Sequence, residues 1–431
     1  MMDLYKVEVS CIIRFIKEQG FTFLLINVYL FLEYVRPQTL YPSIDIFPFA
    51  KTTIVVTLLF FILQKKELLV SNIQNKLIIL FLVVILMSSY NAMSSSIALQ
   101  RVPDFIAWMI IYFLIINIVN TPGRIFIFIF AFLLYSFKMA QFSFFKWVSH
   151  GFSFLKDGSG GGPGWFKNSG EFGIQMCIFL AYSACFIQAL KEYWPRWKKI
   201  IFLSFPVTAL SGTISCSSRG AVLGGAGVVM YLLLCSKHKV KGLIAVCAIV
   251  TVAFVMMPQQ QLERFKTAGE DSTSISRIQL WDRGLELVKK YPVLGVGYRN
   301  WGVAQQEHFG LDNQLLPHNI FLECATELGY TGLAVFMLMV VFTFANNRRT
   351  RAMVQSTGKS DRFIYYMTYG SDAALVGYLI SGFFVTVLYY PYFWINLSMT
   401  VALNNVASRY TPDEAKTASL EFVETRGDNA A

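Results

Sequence analysis

The sequence predicts an all-α integral membrane protein with about 12 transmembrane helices. Three observations carry that expectation: 55% of the 431 residues are apolar, 39 residues are Phe, and mean hydropathy is +0.51. Long apolar runs recur more often than soluble cores allow. Lipid offers the backbone no hydrogen-bond partner, so each run closes its own bonds as a helix. In chain order the spans are expected at 21–35, 48–64, 77–93, 104–120, 122–142, 171–190, 198–215, 220–235, 240–257, 319–345, 365–388 and 391–408, by length and apolar content. Residues 1–408 form one polytopic membrane domain with two longer loops, 143–170 and 258–317, on a single face. Residues 409–431 form a short tail.

Lys and Arg set the orientation. With the N-terminus in the cytoplasm, Lys65, Lys66 and Lys76, then Lys191, Arg196, Lys198 and Lys199, then Lys237, Lys239 and Lys241, then Arg348, Arg349, Arg351 and Arg362 all fall inside. The opposite short loops carry few cations, Arg36 and Arg101 among them. The tail returns to the cytoplasm, and both longer loops lie outside. The net charge of +11 is thereby spent on topology and anionic lipid, so it does not call for a nucleic-acid partner. The seven Cys lie mostly inside apolar runs, without CxxC or metal-ligand spacing, which predicts small core residues and no metal or other cofactor. The start carries Lys6, Arg14 and Lys17 and leads into a span without a small-residue cleavage site, so no cleavable signal peptide is expected.

The chemistry sits in short polar motifs at the outer span ends. Ser217-Ser218-Arg219-Gly220 opens the eighth span and Pro317-His318-Asn319 the tenth. An Arg or His near a bilayer is costly unless it meets an anion or handles a proton. The first outer loop holds Gly158-Ser159-Gly160-Gly161-Gly162-Pro163-Gly164, then Trp165-Phe166-Lys167-Asn168. It lacks the GK[ST] of a nucleotide P-loop. The glycines read as a flexible connector, while Lys167 and Asn168 are candidates for contact with a phosphate or sugar.

The second outer loop is too long for a plain connection and too polar to span, so it forms a cap. Its middle predicts a helix with Ile278, Trp281, Leu285 and Val288 on one stripe, capped by Ser274 or Ser276 and ended by Pro292, Gly295 and Gly297. The helix either lies on the membrane with Arg277 and Arg283 snorkelling or roofs a cavity and aims one arginine inward. Arg277, nearer the helix N-terminus, is the better placed for an anion. His318, at the water interface, is either a hydrogen-bonded anchor or a neutral imidazole able to take a proton. Asn319, Glu323 and Glu327 follow on the same helix.

In order, Ser218-Arg219-Gly220, Ser276-Arg277 with Trp281, Pro292-Val293-Leu294-Gly295-Val296-Gly297, and His318-Asn319 with Leu322, Glu327, Gly329 and Gly332 resemble the O-antigen ligase and polymerase superfamily. The resemblance runs through residues 165–345, and the Tyr34-Val35-Arg36-Pro37-Gln38 segment is similar to ligases. It implies a GT-C-like membrane fold with a large periplasmic loop between helices nine and ten. It further implies metal-independent transfer of a glycan from undecaprenyl pyrophosphate to an acceptor hydroxyl, on lipid A core, a glycan or a protein, at the periplasmic face of a bacterial inner membrane. Arg219 and Arg277 would hold the pyrophosphate, and His318 would act as general base. Lys167, Asn168, Arg283, Asn319, Glu323 and Glu327 would line the substrate site, the glutamates tuning His318 or packing against polar neighbours. A transporter of lipid-linked glycans would instead carry charges near mid-membrane, whereas Lys138 and Asp372 are expected toward span ends.

Overall fold

The computed structural model describes residues 2–64, 70–152, 158–160, 166, 168–237, 239–240, 242–244, 272–311, 315–356 and 361–409. Among these the regular elements are helical, with no strand. They are α1 (Met2–Tyr5), α2 (Val9–Lys17), α3 (Phe21–Tyr34), α4 (Pro37–Leu40), α5 (Phe49–Leu63), α6 (Ile73–Tyr90), α7 (Ser95–Ile118), α8 (Pro122–Ser149), α9 (Ser169–Leu190), α10 (Arg196–Ser215), α11 (Arg219–Cys235), α12 (Ser272–Lys290), α13 (Trp301–Phe309), α14 (Ile320–Ser356), α15 (Arg362–Gly382) and α16 (Pro391–Ser408). Polar residues start several of them: the side chains of Asn72, Thr121, Asn168, Ser218 and Asp361 accept hydrogen bonds from the first-turn amides of α6, α8, α9, α11 and α15.

By length and composition, five helices among the described residues are long and apolar enough to cross a membrane: α6, α7, α8, α9 with the short turn that follows it, and α14. Large apolar side chains on outward faces, such as Leu59, Val83, Val207 and Val341, remain exposed, as a lipid-facing surface requires. α16 is the opposite case. Nearly every side chain in it is buried, and Asn396, Ser398, Thr400 and Asn404 pair with neighbours, Tyr182 donating to Asn396 Oδ1 at 2.5 Å. α16 packs against α7, α14 and α15, so its polar groups find protein partners instead of lipid.

Several boundaries differ from the expectation. α7 starts at Ser95 rather than 104, because the helix passes through Pro103. α14 runs on to Ser356, and Asp372 lies at the middle of α15 rather than toward its end. There Asp372 accepts from Arg351 at 2.8 Å, Asn347 at 2.7 Å and Tyr231 at 2.8 Å, a fully paired buried acid that ties α11, α14 and α15 together. Most of the expected span 240–257, the outer-loop residues 258–271 and the tail beyond 409 lie outside the described residues.

α14 is broken at Gly329, whose φ of 68° and ψ of −174° are not helical. Segment 292–297 fits the break. Tyr330 N–H donates to Pro292 O at 2.7 Å, Val296 N–H to Thr326 O at 2.8 Å and Gly297 N–H to Glu327 O at 3.1 Å. A Cβ on Gly329 would stand 2.1 Å from Val293 O, and one on Gly295 2.4 Å from Thr326 O. Only glycine admits both the approach and the left-handed backbone. The break thus exchanges helical hydrogen bonds for loop bonds and fixes the cap loop on α14.

Candidate functional site

One end of the bundle gathers the motifs. There α10 ends and α11 begins. Ser217 takes a left-handed φ of 56°, and the Ser218 side chain caps the Ala221 amide. Arg219, the first residue of α11, donates from Nη2 to Ser274 Oγ at 3.0 Å. Ser274 and Arg277 are three apart on α12 and share a face. One turn on, Trp281 Nε1 donates to Pro317 O at 2.9 Å, and the bare Cα of Gly284 receives Leu322. α12 therefore lies across the opening of α14 and bridges Arg219 to the Pro317-His318 corner.

His318 itself takes a left-handed φ of 49°, and its N–H donates to Thr386 Oγ1 at 2.7 Å. Burial, then the nearby Arg277 charge, brings its imidazole down to about 4, so the ring is neutral at physiological pH. A neutral imidazole near the Arg277 guanidinium combines a proton acceptor with fixed positive charge. Left-handed non-glycine residues cost energy and concentrate at functional sites. Ser217, Arg299, His318 and Arg36, four such residues, border this end.

The remaining sequence candidates divide. Asn319 Oδ1 accepts from Phe321 N and Leu322 N at 2.9 and 3.1 Å, capping α14. Asn168 Oδ1 accepts from Gly170 N at 2.8 Å, capping α9. Arg283 projects away from Arg277 toward α13, donating to Gln305 Oε1 at 3.4 Å and lying 6.0 Å over the Phe309 ring. Lys167 lies outside the described residues. Half of the expected apolar stripe of α12 holds: Trp281 and Val288 pack against Leu322 and Ala325 of α14. Ile278 and Leu285 are exposed and Leu280 and Leu287 are buried instead, because Gly284 rather than a large side chain faces α14. Ser274 and Ser276 sit inside α12, which is already formed at Ser272. In the glycine-rich loop, Ser159 is buried, donating its N–H to Ser215 O at 2.9 Å and its hydroxyl to Ser215 Oγ at 2.7 Å. The described part of that connector is thus pinned beside the Arg219 corner.

Glu323 and Glu327 face away from His318. Glu323 is 2% exposed, accepts from Leu388 N at 3.3 Å and lies 4.0 Å from Arg299 Nη1. Glu327 accepts from the Tyr389 hydroxyl at 3.1 Å, and the Arg299 guanidinium stacks 4.4 Å over the Tyr389 ring. Arg299 escaped the motif reading. Two acids in an apolar helix require a cation, and Arg299 stands two residues after Gly297, which is the signal that could have found it. Beyond Arg299 opens a cavity of about 840 Å³ among α3, α5, α7 and α13, into which Glu33, Asp104 and Tyr390 also face.

Residues 204–337, which include Arg219, Arg277, the broken α14 and His318, match the family profile described as O-Antigen ligase (Wzy_C). Over this segment the chain is similar to the O-antigen ligase and polymerase superfamily. It is also similar to the exopolysaccharide production protein ExoQ of Rhizobium meliloti (strain 1021), 32% identical over 85 residues. That match covers 18% of this chain, and the chain spans about a fifth (20%) of the length of this curated relative. The matched segment holds Arg219, Arg277 and His318, the residues around the α11–α12–α14 corner.

Proposed function

We propose that this protein is a metal-independent glycosyltransferase of O-antigen ligase type. It moves a glycan from undecaprenyl pyrophosphate to an acceptor hydroxyl at the periplasmic face of a bacterial inner membrane. In this reading the chain crosses the membrane about 12 times, with both termini and the 409–431 tail in the cytoplasm and the 258–317 cap outside. The carrying observation is the convergence of Arg219, Arg277 and His318 from three separate elements inside the superfamily segment. The leaving pyrophosphate gains charge as the glycosidic bond breaks, and fixed cations offset it. Arg219 and Arg277 suit this, because a guanidinium meets phosphate oxygens two at a time. Each would supply about 3 kcal/mol of transition-state stabilisation.

Neutral His318 takes the proton of the acceptor hydroxyl as its oxygen attacks the anomeric carbon, worth about 100- to 10,000-fold in rate. One displacement inverts that carbon. Asn319 and Asn168 keep the loops around the site in register through their caps, and Lys167 would touch the donor's phosphate or sugar. A polymerase with the same chemistry, whose acceptor is the growing glycan, is favoured by the similarity to an exopolysaccharide production protein. Reconstitution in liposomes with carrier-linked glycan separates these readings: transfer onto lipid A core marks a ligase, and glycan lengthening on the carrier a polymerase. His318→Ala is expected to abolish either product while the protein remains folded. Undiminished product in that variant would overturn the mechanism.

A further inference from the structure

The cavity of about 840 Å³ beyond Arg299 has a regular lining that the reaction corner does not use. Glu33 lies four residues beyond Tyr29 on α3, and Trp108 four residues beyond Asp104 on α7, so each pair shares a helix face. α3 runs toward the reaction end and α7 away from it, so each aromatic lies a turn deeper than its carboxylate. Arg299 lines one wall, and Leu316, two residues before His318 in the chain, lines the same space.

Its lining carries both signs: Glu33 and Asp104 share it with Lys51, Arg101 and Arg299, and Arg101 stands 3.8 Å from Asp104, so charge by itself does not choose between a pyrophosphate and a neutral ligand, and titration with each separates them. An apolar occupant is excluded. An acyl or polyprenyl chain would seal in polar groups with no partner. The Tyr29 hydroxyl, 1% exposed, has no hydrogen-bond partner among the described residues. Glu33, also buried, has only the Arg36 guanidinium at 3.7 Å. A saccharide satisfies both groups, because its hydroxyls donate to carboxylates and pair with Tyr29 and Arg299, while its C–H faces pack on aromatic rings. The volume lies within the usual range for sites that enclose a ligand.

We propose that this cavity is a saccharide-binding site that holds a stretch of glycan. The site rests on the glycosyl-transfer reading for its role but not for its detection. The ligand is either the acceptor or the sugar part of the carrier-linked donor, and kinetics tell them apart.

The test uses the full chain in lipid nanodiscs, titrated with carrier-free oligosaccharide released from the host's surface polysaccharide and, separately, with inorganic pyrophosphate. Binding is read from tryptophan fluorescence. The expected result is saturable oligosaccharide binding, weakened ~10-fold or more by Glu33→Gln and by the milder Tyr29→Phe, and retained by His318→Ala. Unchanged oligosaccharide affinity in both folded variants, or a response to pyrophosphate without one to oligosaccharide, overturns the site. Binding of this kind in a wild-type protein that transfers nothing would instead overturn the proposed function and leave the site standing. In the transfer assay, a raised KM for acceptor alone assigns the cavity to the acceptor, and a raised KM for donor alone assigns it to the donor glycan.

Discussion

His318 sits where its ring loses hydration and feels the Arg277 charge, which brings it down to about 4 from an ordinary value near 6.5. Because the basic form is the working one, activity is expected to stay level as pH falls from 8 to 6 and to drop only as pH approaches about 4. A profile with its midpoint near 6.5 would instead mean an exposed imidazole. Arg219 is expected to tolerate little: Arg219→Lys keeps one charge but loses the planar fork that also reaches Ser274, so transfer should fall by ~100-fold. Motif order singles these residues out in the sequence, and the fold joins their neighbourhoods through α12, with Arg219 on Ser274 and Trp281 on Pro317. Arg299 was not legible, since its partners Glu323 and Tyr389 are distant in sequence and meet it only after α14 and the 383–390 segment are in place.

Among the elements, the broken α14 governs the site, because segment 292–297 docks into it and carries Arg299 to the glutamates. Gly329→Ala is expected to cost about 3 kcal/mol, seen as a lowered Tm, through the clash with Val293 O and the left-handed backbone. Gly302→Ala, where a Cβ meets open space, serves as the control and should leave Tm nearly unchanged. Equal shifts in the two variants would contradict this account of the break. The sequence marked Gly329 only as part of a motif, and apolar periodicity reads straight through it, so a continuous span from 319 was expected. Only half of the α12 stripe, Trp281 and Val288, packs as expected, for a related reason. Periodicity weighs large apolar side chains, whereas the packed face is set by Gly284, whose missing side chain lets α14 approach.

For the whole molecule, composition and basic loops were sufficient to predict a helical membrane protein, because lipid dictates both. They did not reveal α16 as an interior helix, whose polar residues are explained only by neighbours remote in sequence. Orientation can be checked by reporter fusion: alkaline phosphatase is expected to be active after Gly310 and inactive after Ser236, and the reverse pattern would put the arginines on the cytoplasmic side. The central claim is that Arg219, Arg277 and His318 transfer a carrier-linked glycan. Its most direct measurement is a gel profile of carrier-linked and surface glycans in a strain lacking this protein, complemented with wild type or with His318→Ala. The account predicts long chains stranded on the carrier, or acceptor bearing a single repeat, corrected by wild type and left uncorrected by the variant. Unaltered pools in the deletion strain, or full correction by His318→Ala, would contradict it.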